Sequence, residues 1–289
     1  MENDTSQISS LKSYLLKKRT AQTVKVYLFE IEKYIDKNPN AKDYKYKEIL
    51  TFINSLRERY KSINTINRIL QSIKKYYDYL VFIKDRKDNP SRNIRLRDNK
   101  KRYIQLQDLL TEIQLESLFI NYTCRYKRTE KRDKIIISLL IYQALRVEEI
   151  TKIQLSDIDL NKGELSIKST IKSNARTLKL QSNQILLLHQ YINENTVNSE
   201  LKTVNYLIKM QSDDITKFIQ RHFKNAIENK KINALKIRQS VIRNLLDKGN
   251  DIRMVQYFAG HKDADSTEKY KQTQVNTLQE NINKYHTIK

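Results

Sequence analysis

Four side chains in the second half of the sequence are of the types that phosphate chemistry uses. Arg146 lies in Ala144-Leu145-Arg146-Val147-Glu148-Glu149-Ile150, directly after an apolar run. A guanidinium at the rim of a core is costly unless an anion or strong acceptors meet it. A phosphate would meet it, and so would a local pair with Glu148 or Glu149. Arg238 stands near the start of a helix whose apolar stripe is Ile237, Val241 and Leu245, with Ile242 and Leu246 beside it. A cation there opposes the helix macrodipole. That placement suits an arginine sharing one phosphate with free backbone amides; an ordinary surface arginine is the other reading. His261 follows Gly260, where a short helix beginning at Asp251 stops. A lone histidine is more often structural than catalytic. Tyr270 closes Ser266-Thr267-Glu268-Lys269-Tyr270, and in a chain with 18 tyrosines its weight comes from position, not from type.

The elements that must position these residues are mostly helical. Val24, Tyr27, Leu28, Ile31, Tyr34 and Ile35 recur at helical spacing, as do Ile49, Phe52, Ile53 and Leu56. The longest stripe runs from Ile66 through Ile69, Leu70, Ile73, Tyr76, Tyr77 and Leu80 to Ile83. Opposite it lie Asn67, Arg68, Gln71, Lys74 and Lys75, a positive face suited to water or to DNA phosphates. Asp88-Asn89-Pro90 ends this region, because proline disfavours helix at the preceding residue. The charged stretch from Ser91 to Arg102, with Arg95 and Arg97, lacks apolar periodicity and reads as a basic linker. Thr111 with Gln114 forms a capping box for a helix through Phe119. The run Ile135 to Leu145 is apolar almost all round and predicts a buried helix. Between 155 and 180 the period changes: Leu165 and Ile167, then Leu178 and Leu180, alternate with polar residues across an Asn161-Lys162-Gly163 turn signal. A small antiparallel sheet is expected there, followed by helices from Gln184 onward, one of them ending at Gly249.

Composition sets the frame. The 289 residues carry 55 Lys+Arg against 33 Asp+Glu, a net charge of +22. A chain this basic most often meets a polyanion, nucleic acid being the commonest; general cationic solubility is the bland alternative. With only three glycines, no glycine-rich phosphate loop is possible, which excludes P-loop and dinucleotide-binding readings. Cys124 is the single cysteine, so neither an internal disulfide nor a cysteine-based zinc site is expected. No apolar run approaches the ~20 residues that span a bilayer, and the polar start Met1-Glu2-Asn3-Asp4 does not suit a signal peptide. A cytoplasmic location is expected.

Taken in order, these segments resemble the tyrosine recombinase, or phage integrase, family. Ala144 to Ile150 resembles its first motif box; Ile237-Arg238 with Leu245-Leu246, Gly249 and Asp251 resembles the second; Gly260-His261, Ser266-Thr267 and Tyr270 resemble its ending. Asn64-Thr65-Ile66-Asn67-Arg68 and Asp88-Asn89-Pro90 are similar to patterns of the family's N-terminal domain, so the likeness covers most of the chain. The resemblance implies a mostly α fold with a small antiparallel β-sheet, arranged as a two-domain clamp on duplex DNA: a helical core-binding domain over 1–95, a basic linker over 96–108 and an α+β catalytic domain over 109–289. It implies site-specific DNA breaking and rejoining without cofactor, metal or nucleotide. Tyr270 would be the nucleophile that forms a 3′-phosphotyrosyl link, Arg146 and Arg238 the phosphate clamp, His261 a hydrogen-bond donor and Lys172 the general acid, with Lys168 its rival. Arg68, Lys74, Lys75, Arg95 and Arg97 would contact DNA. A tail helix bearing Val275, Leu278, Ile282 and Tyr285 is expected to pack on its own domain or on a neighbouring protomer, within a homotetramer on paired DNA sites. One departure stands out. Where the family has histidine before the second arginine, this chain has Leu235, and Gln239 replaces the histidine after it. Loss of one general base costs roughly 10²–10⁴ in rate. The other implied functions are a recombinase-derived DNA-binding protein without cleavage and a relaxing type IB topoisomerase.

Overall fold

The computed structural model describes residues 10–96, 104, 106–124, 126–197, 205–224, 226–228 and 230–270. The chain divides into two compact units, Met1–Arg102 and Tyr103–Lys289. The first is helical. After about two helical turns at residues 10–16 (α1), which bury Leu11 and Leu15, come α2 (Ala21–Lys37), α3 (Tyr46–Arg59) and α4 (Ile63–Phe82). Thr20 caps α2 by accepting from the Thr23 amide. The stripes expected from the sequence are the buried faces: Val24, Ile31 and Tyr34 of α2, Ile49, Ile53 and Leu56 of α3, and Ile66, Ile69, Leu70, Ile73, Tyr77 and Leu80 of α4; Ile83, the expected end of the last stripe, is exposed past the helix end. Within this core the Tyr77 hydroxyl donates to the Ala41 carbonyl at 2.6 Å and meets the Tyr34 hydroxyl at 2.8 Å. Tyr77→Phe strips both groups of their partner in a dry environment. It should cost about 1–3 kcal/mol, read as a lower urea midpoint for this unit; an unchanged midpoint would show that the hydroxyl contributes nothing.

The end of α4 is tied down by Asn89. Its carboxamide donates to the Lys74 carbonyl and to Asp78, and its oxygen accepts from the amide and hydroxyl of Ser91. Ser91 and Ile94 are buried and Leu96 packs against the same core. The charged stretch therefore begins as part of the first unit; single apolar contacts hold it, which periodicity does not register.

The second unit is built around α6 (Lys127–Tyr142), whose residues Ile135 to Ile141 are all buried. Around it lie α5 (Glu112–Ile120), opened by the expected Thr111–Gln114 capping box, and α8 (Ser182–Val197), α9 (Ser212–His222) and α10 (Ala234–Asp247). The sheet is a three-stranded antiparallel meander of β1 (Ile158–Asp159), β2 (Glu164–Ile167) and β3 (Arg176–Lys179), with Leu165 opposite Leu178 and Ile167 opposite Arg176. Gly163 takes a positive φ of 61° in the β1–β2 turn. The apolar run after Ile135 does not remain helical to Leu145. The helix stops at Tyr142, Ala144 adopts φ 50°, and Leu145 returns its amide to the Leu139 carbonyl. At this break the buried Gln143 carboxamide bonds to Gln184 and donates to the Lys179 carbonyl. Ala144 and Leu145 stay buried, so the hydrophobic pattern continues through the break. Among the described residues, no helix is long and apolar enough to cross a membrane, and no cluster of His, Cys, Asp and Glu is suited to a metal ion.

Candidate active site

Because α6 breaks at Ala144, Arg146 becomes the N-cap of a one-turn helix, α7 (Val147–Ile150), with extended backbone at φ −78° and ψ 150°. Its amide donates to Glu149 Oε2 at 2.8 Å. Glu149 is buried and also accepts from both terminal nitrogens of Arg176, at 2.9 and 3.0 Å. The local carboxylate is thus spent on a backbone amide and on a different arginine. The Arg146 guanidinium reaches the Lys172 carbonyl at 3.5 Å, and its Nε is buried with no partner among the described residues.

Arg238 is buried, contrary to the surface reading. Asn233 caps α10 by accepting the Lys236 amide, and the Arg238 guanidinium extends across to the carbonyls of Ala144 and Ala259. It therefore joins the turn before α7 to the end of α11 (Ile252–Ala259) instead of serving the amides at its own helix start. Burial, then the nearby charge of Arg146, pulls its pKa down to about 10, so it stays cationic at neutral pH.

These two arginines and Lys172 line one cleft of about 450 Å³, together with Glu148, Asp213 and Leu235. Lys172 projects from the β2–β3 turn, which the Thr170 amide closes onto the Ser173 carbonyl at 2.8 Å. Lys168 lies elsewhere, held by Asp157 at 3.2 Å and Gln154 at 2.5 Å. Leu235 presents its side chain to the cleft, 62 % exposed. Lys236 turns away toward Asp108 at 3.8 Å.

His261 is buried next to this cleft, with Nδ1 2.9 Å from the Thr267 hydroxyl. Burial, then the positive charges of Arg238, Arg146 and Arg176, lowers its pKa to about 3, so the ring is neutral at pH 7. If Thr267 donates to Nδ1, Nε2 keeps its hydrogen and can act as a donor. Tyr270, in the turn after α12 (Asp265–Glu268), packs its ring nearly parallel to His261, with centroids 6.5 Å apart. It is buried against Ile242, Val255 and Ala259, with Ile104 beside them. Burial raises the pKa of its hydroxyl; the charges of Arg238 and Arg146 and a hydrogen bond with Gln239 pull the other way.

Three residues hold this arrangement beyond what the sequence assigned: Arg176, Thr267, and Glu149, which the sequence offered only as a partner of Arg146. Arg176 occupies the buried phase of β3, in register with Leu178, and donates its Nε to the Phe258 carbonyl. An arginine in the inward phase of an alternating strand was the available signal. Glu149 and Thr267 complete the set, and their partners are visible only after folding. Gly260 is fixed by the same arginine: it has φ 64°, and a Cβ there would sit 2.4 Å from Arg176 Nη1. Gly260→Ala should therefore cost about 1–3 kcal/mol and displace His261. Thermal unfolding measures it; an unshifted melting temperature would show that Arg176 yields freely.

In the helical unit Arg68 pairs with Glu30 at 2.8 Å and Lys75 with Asp78 at 2.6 Å. Lys74 donates to the carbonyls of Arg92 and Ile94, and Arg95 is exposed. Arg97 and the expected tail helix at Val275, Leu278, Ile282 and Tyr285 lie outside the described residues.

Comparison with known proteins agrees with this architecture. Residues 108–277, more than half of the chain, match the model of the phage integrase family. The chain is 24 % identical over 277 residues to tyrosine recombinase XerA of Pyrococcus furiosus, covering 94 % of this chain and 91 % of that one. It is 28 % identical over 231 residues to tyrosine recombinase XerD of Proteus mirabilis, covering 74 % and 69 % respectively. Its fold is similar to that of the XerH site-specific recombinase solved with its difH substrate before cleavage: TM-score 0.69, 19 % identity, 95 % of this chain and 83 % of that one. The chain belongs to the phage integrase family and is a site-specific DNA recombinase of the tyrosine type.

Proposed function

We propose that the protein cleaves and rejoins duplex DNA through a covalent 3′-phosphotyrosine at Tyr270. The observation that carries this reading is the convergence of Arg146, Lys172 and Arg238 on one cleft, with His261 and Tyr270 packed beside Arg238. In this reading the two guanidiniums bind the non-bridging oxygens of the scissile phosphate. They stabilise the charge that builds in the pentavalent transition state, where preorganised donors count most. The buried Arg146 Nε, with no partner among the described residues, is one such donor awaiting an acceptor. His261 donates a further hydrogen bond through Nε2. The Tyr270 oxygen forms a bond to phosphorus as the bond to O5′ breaks, and the Lys172 ammonium gives the departing oxygen its proton. The ester retains the bond energy, so attack by a 5′-hydroxyl reverses the step without a nucleotide cofactor.

The partner is duplex DNA, with the helical unit adding phosphate contacts through Arg68, Lys74, Lys75, Arg95 and Arg97. The working assembly is a homotetramer on paired sites in the cytoplasm. Leu235 offers no proton acceptor, so the first chemical step is slow relative to an enzyme with histidine there. Incubation with nicked suicide DNA carrying candidate sites, followed by denaturing electrophoresis and peptide mapping, tests the reading. The expected result is a protease-sensitive adduct mapped to Tyr270. Specific, salt-sensitive binding with no adduct would replace this reading with a DNA-binding protein that does not cleave.

A further inference from the structure

The cleft built of Arg146, Lys172 and Arg238 also contains an acid that anion binding does not call for. Two adjacent glutamates on α7 face opposite ways. Glu149 turns inward to Arg176 and to the Arg146 amide. Glu148 turns outward into the cleft, 54 % exposed, with Oε1 3.3 Å from Lys172 Nζ. The backbone that carries Lys172 is fixed. Thr170 and Ser173 close its turn, and the Asn174 amide docks on the Gly260 carbonyl at 3.1 Å. Only the side chain of Lys172 is free to swing, and the Glu148 carboxylate meets its end.

A phosphate entering the cleft brings a second anion to the same ammonium. The two like charges cannot both keep it at contact distance without repelling each other. A pair this exposed is weak and exchanges readily. We infer that Glu148 is a positioning residue that holds Lys172 while no DNA is bound and competes with the leaving-group oxygen for it once DNA is bound. This rests on the reading of Lys172 as the proton donor. The glutamate acts on the acid, not on the phosphate, and that distinction is measurable.

Single-turnover adduct formation at saturating suicide DNA separates the cases. Two substrates are needed, one with the ordinary 5′-oxygen and one with sulfur at that bridging position. When the Tyr270 oxygen attacks the sulfur substrate, the P–S bond breaks and the leaving group departs as thiolate. A thiol pKa of about 8.5 means it needs no proton. Glu148→Gln should speed adduct formation on the oxygen substrate about three- to fivefold, the size of one weak exposed pair. It should leave the sulfur substrate unchanged. In a Lys172→Ala background, slow on oxygen and restored on sulfur, Glu148→Gln should bring no gain. A gain on both substrates, or one that persists without Lys172, would mean that Glu148 merely repels the phosphate, and overturns the inference. No gain on oxygen overturns it as well, with the wild-type adduct leaving the recombinase reading intact. Absence of a wild-type adduct on either substrate would sink both.

Discussion

Replacing Tyr270 with phenylalanine is expected to abolish the covalent protein–DNA adduct while specific DNA binding stays within about twofold of wild type, the pattern of a group used only in the reaction. The substitution removes one oxygen from a packed ring. Ile242, Val255 and Ala259 keep their contacts with it, and the parallel arrangement with His261 needs no hydroxyl. Folding should therefore be preserved, and the missing adduct would report chemistry alone. In the proposed reading binding is unaffected, because Arg146 and Arg238, not Tyr270, hold the phosphate. The hydroxyl of Tyr270 is held above the usual tyrosine range by burial, so in the DNA-free protein it is protonated and buried. With Tyr270 as the proposed nucleophile, cleavage then requires both exposure of the ring and loss of its proton. Adduct formed by the phenylalanine variant would show that another of the 18 tyrosines is the nucleophile. Equal loss of binding and cleavage would show that Tyr270 is a packing residue.

Glu149→Gln should give the largest loss of stability. Glu149 and Arg176 form a bidentate pair with both side chains almost wholly buried. The amide still accepts the Arg146 N–H but leaves the Arg176 guanidinium uncompensated in the core. Breaking a buried pair from one side costs about 3–5 kcal/mol. For a unit of this size that corresponds to a fall in melting temperature of roughly 10 °C. The pH dependence follows from the same contact. Burial alone pushes the Glu149 carboxyl up, but the hydrogen bonds and charge of Arg176 and the Arg146 amide outweigh it and hold it at about 2, below its ordinary 4.5. A depressed folded pKa contributes stability that is complete above pH 4.5 and is lost as pH falls toward 2. The contribution is about 3 kcal/mol. Urea unfolding at pH 7 and at pH 3 should show the variant to be much weaker at pH 7, with the gap to wild type narrowing in acid. A loss under 1 kcal/mol at pH 7, or a gap that does not narrow, would mean that Arg176 finds other acceptors, of which the Phe258 and Asn174 carbonyls are the nearest.

The sequence by itself determined the helices, the change of period at the sheet and the order of the residues that form the site. These are local properties. Apolar spacing selects helix or strand, Thr111–Gln114 writes a cap, and Gly163, Gly249 and Gly260 mark turns at positive φ. Motif order linked Arg146, Arg238, His261 and Tyr270 before any coordinates did. What only the tertiary structure decided is how those side chains are held. The break after Tyr142, where Gln143 meets Gln184 far along the chain, turns Arg146 from the end of one helix into the cap of the next. Arg238 is buried because carbonyls of two distant turns converge on it. Lys172 lies in the cleft and Lys168 does not, because Asp157 and Gln154 hold the latter. Neighbouring glutamates, alike in sequence, divide into a buried anchor and a cleft acid according to which side of a single helical turn faces Arg176. Such assignments depend on where unlike charges and unpaired polar groups meet in three dimensions, and spacing along one chain does not contain that information.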